Sequence, residues 1–134
     1  MSTISKWIPD GLIPRWLLLV AVVAQINGAT NFFSPKASAK VYSTAGAQIT
    51  PLSSRLFGIW NSTSAIIRGY AAYNIHDKAA YELAMWSFVI ALVHFVSETF
   101  VYKTAKMGPG VISPLIVASS SLTVMYLNYG RYVR

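Results

Sequence analysis

The segment that decides the fold runs from Leu52 to Tyr102 and reads LSSRLFGIWNSTSAIIRGYAAYNIHDKAAYELAMWSFVIALVHFVSETFVY. It contains two largely apolar stretches, each about as long as a membrane-spanning helix, separated by the polar residues Asn74 to Lys78. A short polar connection between two such stretches is typical of a pair of antiparallel helices. The sequence therefore predicts a helical hairpin inside a membrane.

The composition of the whole chain agrees with a membrane location. Of its 134 residues, 54% are hydrophobic and only 11% are charged, whereas soluble domains are roughly 25% charged. The mean hydropathy is +0.48. Four spans of about 20 residues each would leave little beyond short loops. We therefore predict an all-α membrane protein, a bundle of four transmembrane helices with short loops, forming one domain over residues 1–134.

The four spans are predicted at residues 14–33, 52–73, 81–102 and 111–129, and residues 34–51 are predicted to form an exposed loop. Cleavage of the first span as a signal peptide is disfavoured, because the first Ala-x-Ala sequence begins at Ala37, well beyond the end of the uninterrupted apolar core at Ala24. Basic residues divide five against five between the two membrane sides, so they predict no orientation.

Two charged residues of the hairpin are predicted to form an ion pair. Arg55 and Glu98 are equally far in sequence from the midpoint of the turn, between His76 and Asp77. At about 1.5 Å per helical residue, both would lie roughly one hydrocarbon thickness from the turn. We therefore predict that Arg55 and Glu98 meet near the opposite membrane face.

Small residues predict which helix faces meet. They recur at three- and four-residue steps, a spacing that places them on one face and lets another helix approach closely. The predicted packing residues are Gly58, Ser62, Ala65 and Gly69 in the second span, and Ser87 and Ala91, followed by His94, in the third. We expect these two faces to contact each other.

Arg68 points away from the face that carries Arg55. Its position along the hairpin is within about one turn of Glu82. The sequence predicts either a looser second pair of Arg68 with Glu82, or a role for Arg68 toward another helix or a partner.

Catalysis is the first functional hypothesis, because an ionisable residue inside a membrane is a functional candidate by default. His94, Glu98 and Tyr102 follow at four-residue steps and could relay a proton. The favoured interpretation is structural: Glu98 neutralises Arg55, and His94 bonds a neighbouring helix. With two histidines and no cysteine, the chain lacks the motifs for a metal centre, and no glycine-rich loop suggests a nucleotide cofactor. We predict no cofactor.

The net charge of +7 would suggest nucleic acid as the partner of a soluble protein. Here the basic residues cluster near the ends of the spans, so the lipid bilayer is the expected anionic partner and no nucleic acid is expected.

Several motifs, in this order and spacing, resemble those of the ergosterol biosynthetic protein 28 family. They are Gly11-Leu-Ile-Pro-Arg-Trp-Leu17, Arg55-Leu-Phe-Gly-Ile-Trp60, Ile67-Arg-Gly-Tyr-Ala-Ala72, Tyr81-Glu-Leu83, His94-Phe-Val-Ser-Glu98, and Lys106-Met-Gly-Pro-Gly110 before Pro114-Leu115. The resemblance covers nearly the whole chain outside residues 34–50.

The resemblance implies a non-catalytic, multi-pass protein of the endoplasmic reticulum membrane that scaffolds sterol C4-demethylation. The implied partners are the sterol C4-methyl oxidase, the decarboxylating C3-sterol dehydrogenase and the 3-keto sterol reductase, which would supply the cofactors. Two alternatives remain: a small membrane enzyme acting on a sterol or lipid, such as an isomerase using His94 and Glu98, and an oligomeric conductance. Self-association is a further expectation left open.

Overall fold

The computed structural model describes residues 6–134, which fold into helices joined by short connections, with no β-strand among them. Four helices have 19 to 23 residues. In chain order the helices are α1 (Leu12–Phe33), α2 (Pro35–Val41), α3 (Pro51–Tyr73), α4 (Lys78–Phe100), α5 (Pro109–Leu127) and α6 (Tyr129–Tyr132), with a 3₁₀ turn at Gly46–Gln48. The prediction of an all-α chain is confirmed for these residues.

Both helices of the hairpin, α3 and α4, begin at clear capping signals. The Thr50 hydroxyl accepts the backbone N–H of Ser53, whose own hydroxyl accepts the Thr50 N–H, and Pro51 occupies the first helical position. At the other helix, the Asp77 carboxylate accepts the backbone N–H of Ala80 at 2.9 Å. The polar turn therefore lies between the two helices, where the sequence predicts it.

Three of the long helices, α1, α4 and α5, are long and apolar enough to cross a membrane. Helix α3 is equally long but contains Arg55, Arg68 and several amide and hydroxyl side chains, so it is not among them. The chain is thus a membrane protein by the composition of three of its helices, and α3 is the polar member of the set.

The tightest packing joins α3 to α1, not to α4. A Cβ atom on Gly58 would lie 2.6 Å from the carbonyl oxygen of Gly28 and 2.7 Å from the backbone nitrogen of Phe32. A Cβ atom on Gly28 would lie 2.7 Å from the Ser62 hydroxyl oxygen. Only glycine allows two helix backbones to approach this closely.

The predicted contact between the small-residue faces of α3 and α4 is therefore wrong. Gly69, further along the same face of α3, also lies against Ala21 of α1. The small-residue face of α3, from Gly58 to Gly69, packs against α1. Helix α1 provides a matching row of small residues: Ala21, Ala24 and Gly28. We expected α3 to pack most closely against α4, the next helix along the chain. The complementary small-residue surface of α1 determines the packing instead.

The contact between α4 and α5, by contrast, consists of large buried side chains. Tyr81, Phe88 and Met125 are almost completely inaccessible, and the Tyr81 hydroxyl donates to the carbonyl oxygen of Met125 at 2.5 Å. Helices α1 and α5 contact each other little. One link between them is the Trp16 indole N–H, which donates to the Ser121 hydroxyl at 2.7 Å.

The loop predicted at residues 34–51 is not simply exposed. It contains α2 and the 3₁₀ turn, and Ser38 of α2 is 1% exposed. The Ser38 hydroxyl donates to the Asn31 side-chain oxygen at 2.9 Å, and its oxygen lies 2.9 Å from that of Ser54. This buried polar cluster fastens α2 against the ends of α1 and α3.

Candidate functional site

The predicted ion pair of Arg55 with Glu98 is not formed. Within residues 6–134, the one ion pair closer than 4.0 Å joins Arg15 to Asp10 at the surface, at 3.8 Å. Arg55 is exposed, and the Glu98 carboxylate accepts the hydroxyl of Thr104 instead. The physical reason is the rotation of α3. Arg55 lies at the edge of the face that carries Gly58 and Ser62, and this face is turned to α1 and not to α4.

The looser pair of Arg68 with Glu82 is also wrong. The Glu82 carboxylate accepts the Tyr129 hydroxyl at 2.6 Å, and this hydrogen bond raises the pKa of Tyr129, which lies in α6. Glu82 thereby ties the C-terminal turn to the first half of α4. Arg68 does bond α4, the helix that carries Glu82, but at Ser87 and not at the predicted carboxylate.

Arg68 is buried between α3 and α4, with 7% of its surface exposed. Its Nε donates to the Ser87 hydroxyl at 3.0 Å, and one terminal nitrogen donates to the Ser87 carbonyl oxygen at 3.3 Å. The guanidinium carbon lies 4.1 Å from the centre of the Phe88 ring, a cation–π distance. The predicted packing residue Ser87 is therefore also the polar partner that holds α4 to α3.

A cavity of about 320 Å³ adjoins Arg68 in the space that α1, α3, α4 and α5 enclose. Arg68, Ser64 and Asn61 of α3 provide polar groups, and Phe88 and Ala91 of α4 provide apolar ones. The predicted packing residue Ala91 thus lines this cavity, while Ala65 is buried in α3. The cavity could not be predicted from the sequence, because its walls come from helices that are far apart along the chain.

His94 binds the loop rather than Glu98 and Tyr102. Its Nε2 lies 2.6 Å from the hydroxyl oxygen of Tyr42, which follows α2, and the rings of Phe57 and Trp60 pack around the imidazole. Tyr102, the proposed end of a proton relay, is 67% exposed. The structural interpretation of His94, a bond to a neighbouring segment, agrees with this geometry.

Burial and, second, the negative charge of Glu98 raise the pKa of the Tyr42 phenol, so this hydroxyl stays protonated. Tyr42, His94, Glu98 and Trp60 line a surface groove of about 440 Å³ between α3, α4 and the loop. The contact of Tyr42 with His94 could not be predicted from the sequence, because nothing in the polar loop around Tyr42 indicates it.

Replacing Tyr42 by Phe is expected to loosen the loop, because the half-buried imidazole of His94 loses its hydrogen-bond partner. The loss of about 1 kcal/mol should speed hydrogen exchange of the amides of residues 42–45 by roughly five-fold, as measured by mass spectrometry. The control is Tyr70→Phe, since Tyr70 is 63% exposed. Equal exchange in the wild type and Tyr42→Phe would show that this hydrogen bond does not hold the loop.

The geometry defines the class of protein: an all-helical membrane protein whose polar α3 is held by α1 on one side and by Ser87 of α4 on the other. The family model for Erg28-like proteins matches residues 13–123. The chain belongs to the Erg28 family, and the resemblance predicted from its motifs is confirmed.

Relatives from fungi and animals match most of the chain. Ergosterol biosynthetic protein 28 of Candida albicans is 41% identical over 132 residues, which cover 98% of this chain and 96% of the relative. The Saccharomyces cerevisiae protein of that name is 37% identical, covering 88% and 80%, and the human homolog is 40% identical, covering 87% and 84%. These relatives are named for ergosterol biosynthesis. No solved structure is significantly similar to the chain.

Proposed function

We propose that the chain is a non-catalytic scaffold of the endoplasmic reticulum membrane that tethers the enzymes of sterol C4-demethylation. The enzymes are the sterol C4-methyl oxidase, the decarboxylating C3-sterol dehydrogenase and the 3-keto sterol reductase. Membership of a family whose members are named for ergosterol biosynthesis supports the pathway. Holding consecutive enzymes in one patch of membrane raises the effective concentration of each apolar intermediate at the next enzyme.

The outward face of α3 is the observation that carries the proposal. A row of exposed side chains follows this face at helical spacing: Leu52, Arg55, Leu56, Ile59, Thr63, Ile66, Tyr70 and Tyr73. We infer that α3 is the fourth membrane span, since it is 23 residues long and antiparallel to α1 and α4. Arg55 and Thr63 on this outward face are disfavoured in contact with lipid, so the face suits a protein partner.

The large side chains on this face match the composition of protein interfaces. Ile66 is 70% exposed and Tyr70 is 63% exposed. Aromatic residues and arginine are enriched at contact surfaces, and here Tyr70 and Arg55 flank aliphatic residues. The close α1–α3 packing and the Arg68–Ser87 bonds hold α3 in one orientation, so the face is presented without rearrangement.

Recovery of tagged full-length chain from native membranes tests the proposal. Wild-type chain should bring the methyl oxidase, the dehydrogenase and the reductase with it, and Ile66→Asn on the outward face should lower their recovery about ten-fold. The matched control is Ile116→Asn on α5, where Ile116 is 60% exposed, and it should recover the enzymes as the wild type does. Equal loss from both variants, or from neither, would contradict a role of the α3 face.

A small enzyme that acts on a sterol or lipid through His94 and Glu98 is the second candidate, favoured by the groove that these residues share with Tyr42. A sterol assay with purified chain separates the two functions. The scaffold predicts no turnover without the partner enzymes. Turnover by the purified chain that disappears in His94→Gln would establish the enzyme instead.

A further inference from the structure

The geometry points to a binding site for a membrane-soluble acid in the cavity beside Arg68: an amphiphile with an apolar body and a single carboxylate. Small-molecule sites typically measure about 300–1,000 Å³, and this cavity measures about 320 Å³. Its lining from α1 extends from Val20 to Asn31, about 16 Å along a helix.

The charge of Arg68 selects the head group of the ligand. A guanidinium has five N–H donors, and within residues 6–134 the structure gives Arg68 hydrogen bonds to Ser87 alone. None of the described carboxylates lies within 4.0 Å of it, and residues 1–5 contain no aspartate or glutamate. A buried cation without a counter-charge is costly in a low-dielectric interior. A carboxylate matches the planar fork of the free donors.

The apolar lining selects the body of the ligand. The cavity walls include Val20 and Val23 of α1, Phe88 and Phe95 of α4, and Val117 of α5. The polar groups of the lining besides Arg68 are uncharged: Asn61 and Ser64 of α3, Asn27 and Asn31 of α1, and Ser113 of α5. A site with an apolar wall and a single cationic end fits an amphiphile better than a wholly polar metabolite.

Arg68 is five residues before the last residue of α3, Tyr73, which is about 8 Å along the helix axis. Its side chain therefore lies near one end of the span, within reach of the carboxylate of a membrane-soluble acid.

Helices α1 and α5, which both line the cavity, pack against each other little and so leave a seam beside it. Lining residues at this seam are accessible: Val23 is 48% exposed, and Asn27 and Ser113 are also exposed. The hydrogen bond of Trp16 to Ser121 joins the two helices toward one end of the seam. A ligand therefore enters sideways, from the hydrocarbon.

Equilibrium binding of radiolabelled oleate to the purified full-length chain in detergent micelles tests the site. We expect saturable binding of one oleate per chain, with oleyl alcohol at least about ten-fold weaker as a competitor, because only the carboxylate forms charge-assisted hydrogen bonds with Arg68. Arg68→Gln should weaken oleate binding about ten-fold or more and leave the affinity for oleyl alcohol unchanged, so that the two then compete about equally. The control Arg55→Gln removes an exposed arginine of the same helix and should bind oleate as the wild type does.

A second variant keeps the test decisive if Arg68→Gln fails to fold. Ser113→Phe changes an exposed residue at the seam and leaves Arg68 in place, so it should reduce oleate binding by obstructing the cavity. Absence of saturable binding to the wild type would mean that the cavity holds water only, and would overturn the proposal. Equal affinity for oleate and oleyl alcohol would overturn it as well.

Discussion

Replacing Gly58 by alanine is expected to destabilise the protein by about 3 kcal/mol, although alanine is the better helix former by about 1 kcal/mol. The new methyl group would lie 2.6 Å from the carbonyl oxygen of Gly28 and 2.7 and 2.8 Å from backbone atoms of Phe32. These are backbone atoms that no side-chain rotation can remove, so α1 and α3 must separate. Thermal unfolding in detergent, followed by circular dichroism, should show a melting temperature lower by about 10 °C.

Gly69→Ala is the matched control for this prediction. Gly69 lies on the same helix, but its added Cβ would meet only Ala21, at 3.7 Å, which is an ordinary contact. Its melting temperature should be unchanged or slightly raised, since alanine favours the helix. If Gly58→Ala and Gly69→Ala melted alike, α1 and α3 would not be packed as closely as the structure has them.

Ser87→Ala is expected to cost about 2 kcal/mol of unfolding free energy, because the buried guanidinium of Arg68 loses the acceptor of its Nε. Denaturation by sodium dodecyl sulfate in mixed micelles measures the change. The same substitution in an Arg68→Met background should cost less by about 1–2 kcal/mol, since no charge is then left without its partner.

Ser97→Ala provides the control for Ser87→Ala. Both serines are in α4, and each hydroxyl donates to the carbonyl oxygen three residues earlier, that of Ala84 or His94. Arg68 bonds Ser87 and does not bond Ser97. A loss for Ser97→Ala as large as that for Ser87→Ala would attribute the effect to the helix and not to the arginine.

The positions of the helices could be predicted from the sequence. Apolar length, the polar turn from Asn74 and the prolines at 51 and 109 mark helix ends that the structure places within three residues of the predicted span limits. These signals are local: each depends on capping groups and backbone chemistry of a few neighbouring residues. The family resemblance was also readable, because short motifs kept their order along the chain.

The pairing of helix faces could not be predicted in the same way. Gly58, Ser62 and Gly69 correctly indicated a face for close approach, but two helices offered small residues to it. Gly28 carried the decisive signal, since it lies four residues after Ala24 in α1. Because that face is turned to α1, Arg55 at its edge is directed away from α4 and does not reach Glu98.

The polar contacts were predicted least well, because each depends on the tertiary structure. Two residues at the same distance from the turn of a hairpin need not point toward each other, because each side chain also has its own angle around its helix. Arg68 therefore bonds Ser87, and Glu82 bonds Tyr129. Tyr42 lies 52 residues from His94 in sequence, and the folding of α2 against Ser54 brings it near.

The tethering of enzymes is tested most directly by recovering tagged sterol C4-methyl oxidase from membranes that contain or lack this chain. The measured quantity is the amount of C3-sterol dehydrogenase that accompanies the oxidase. A scaffold predicts that this amount falls about ten-fold without the chain and is restored by the wild type and by Ile116→Asn, but not by Ile66→Asn. Equal recovery of the dehydrogenase with and without the chain would contradict the proposed function.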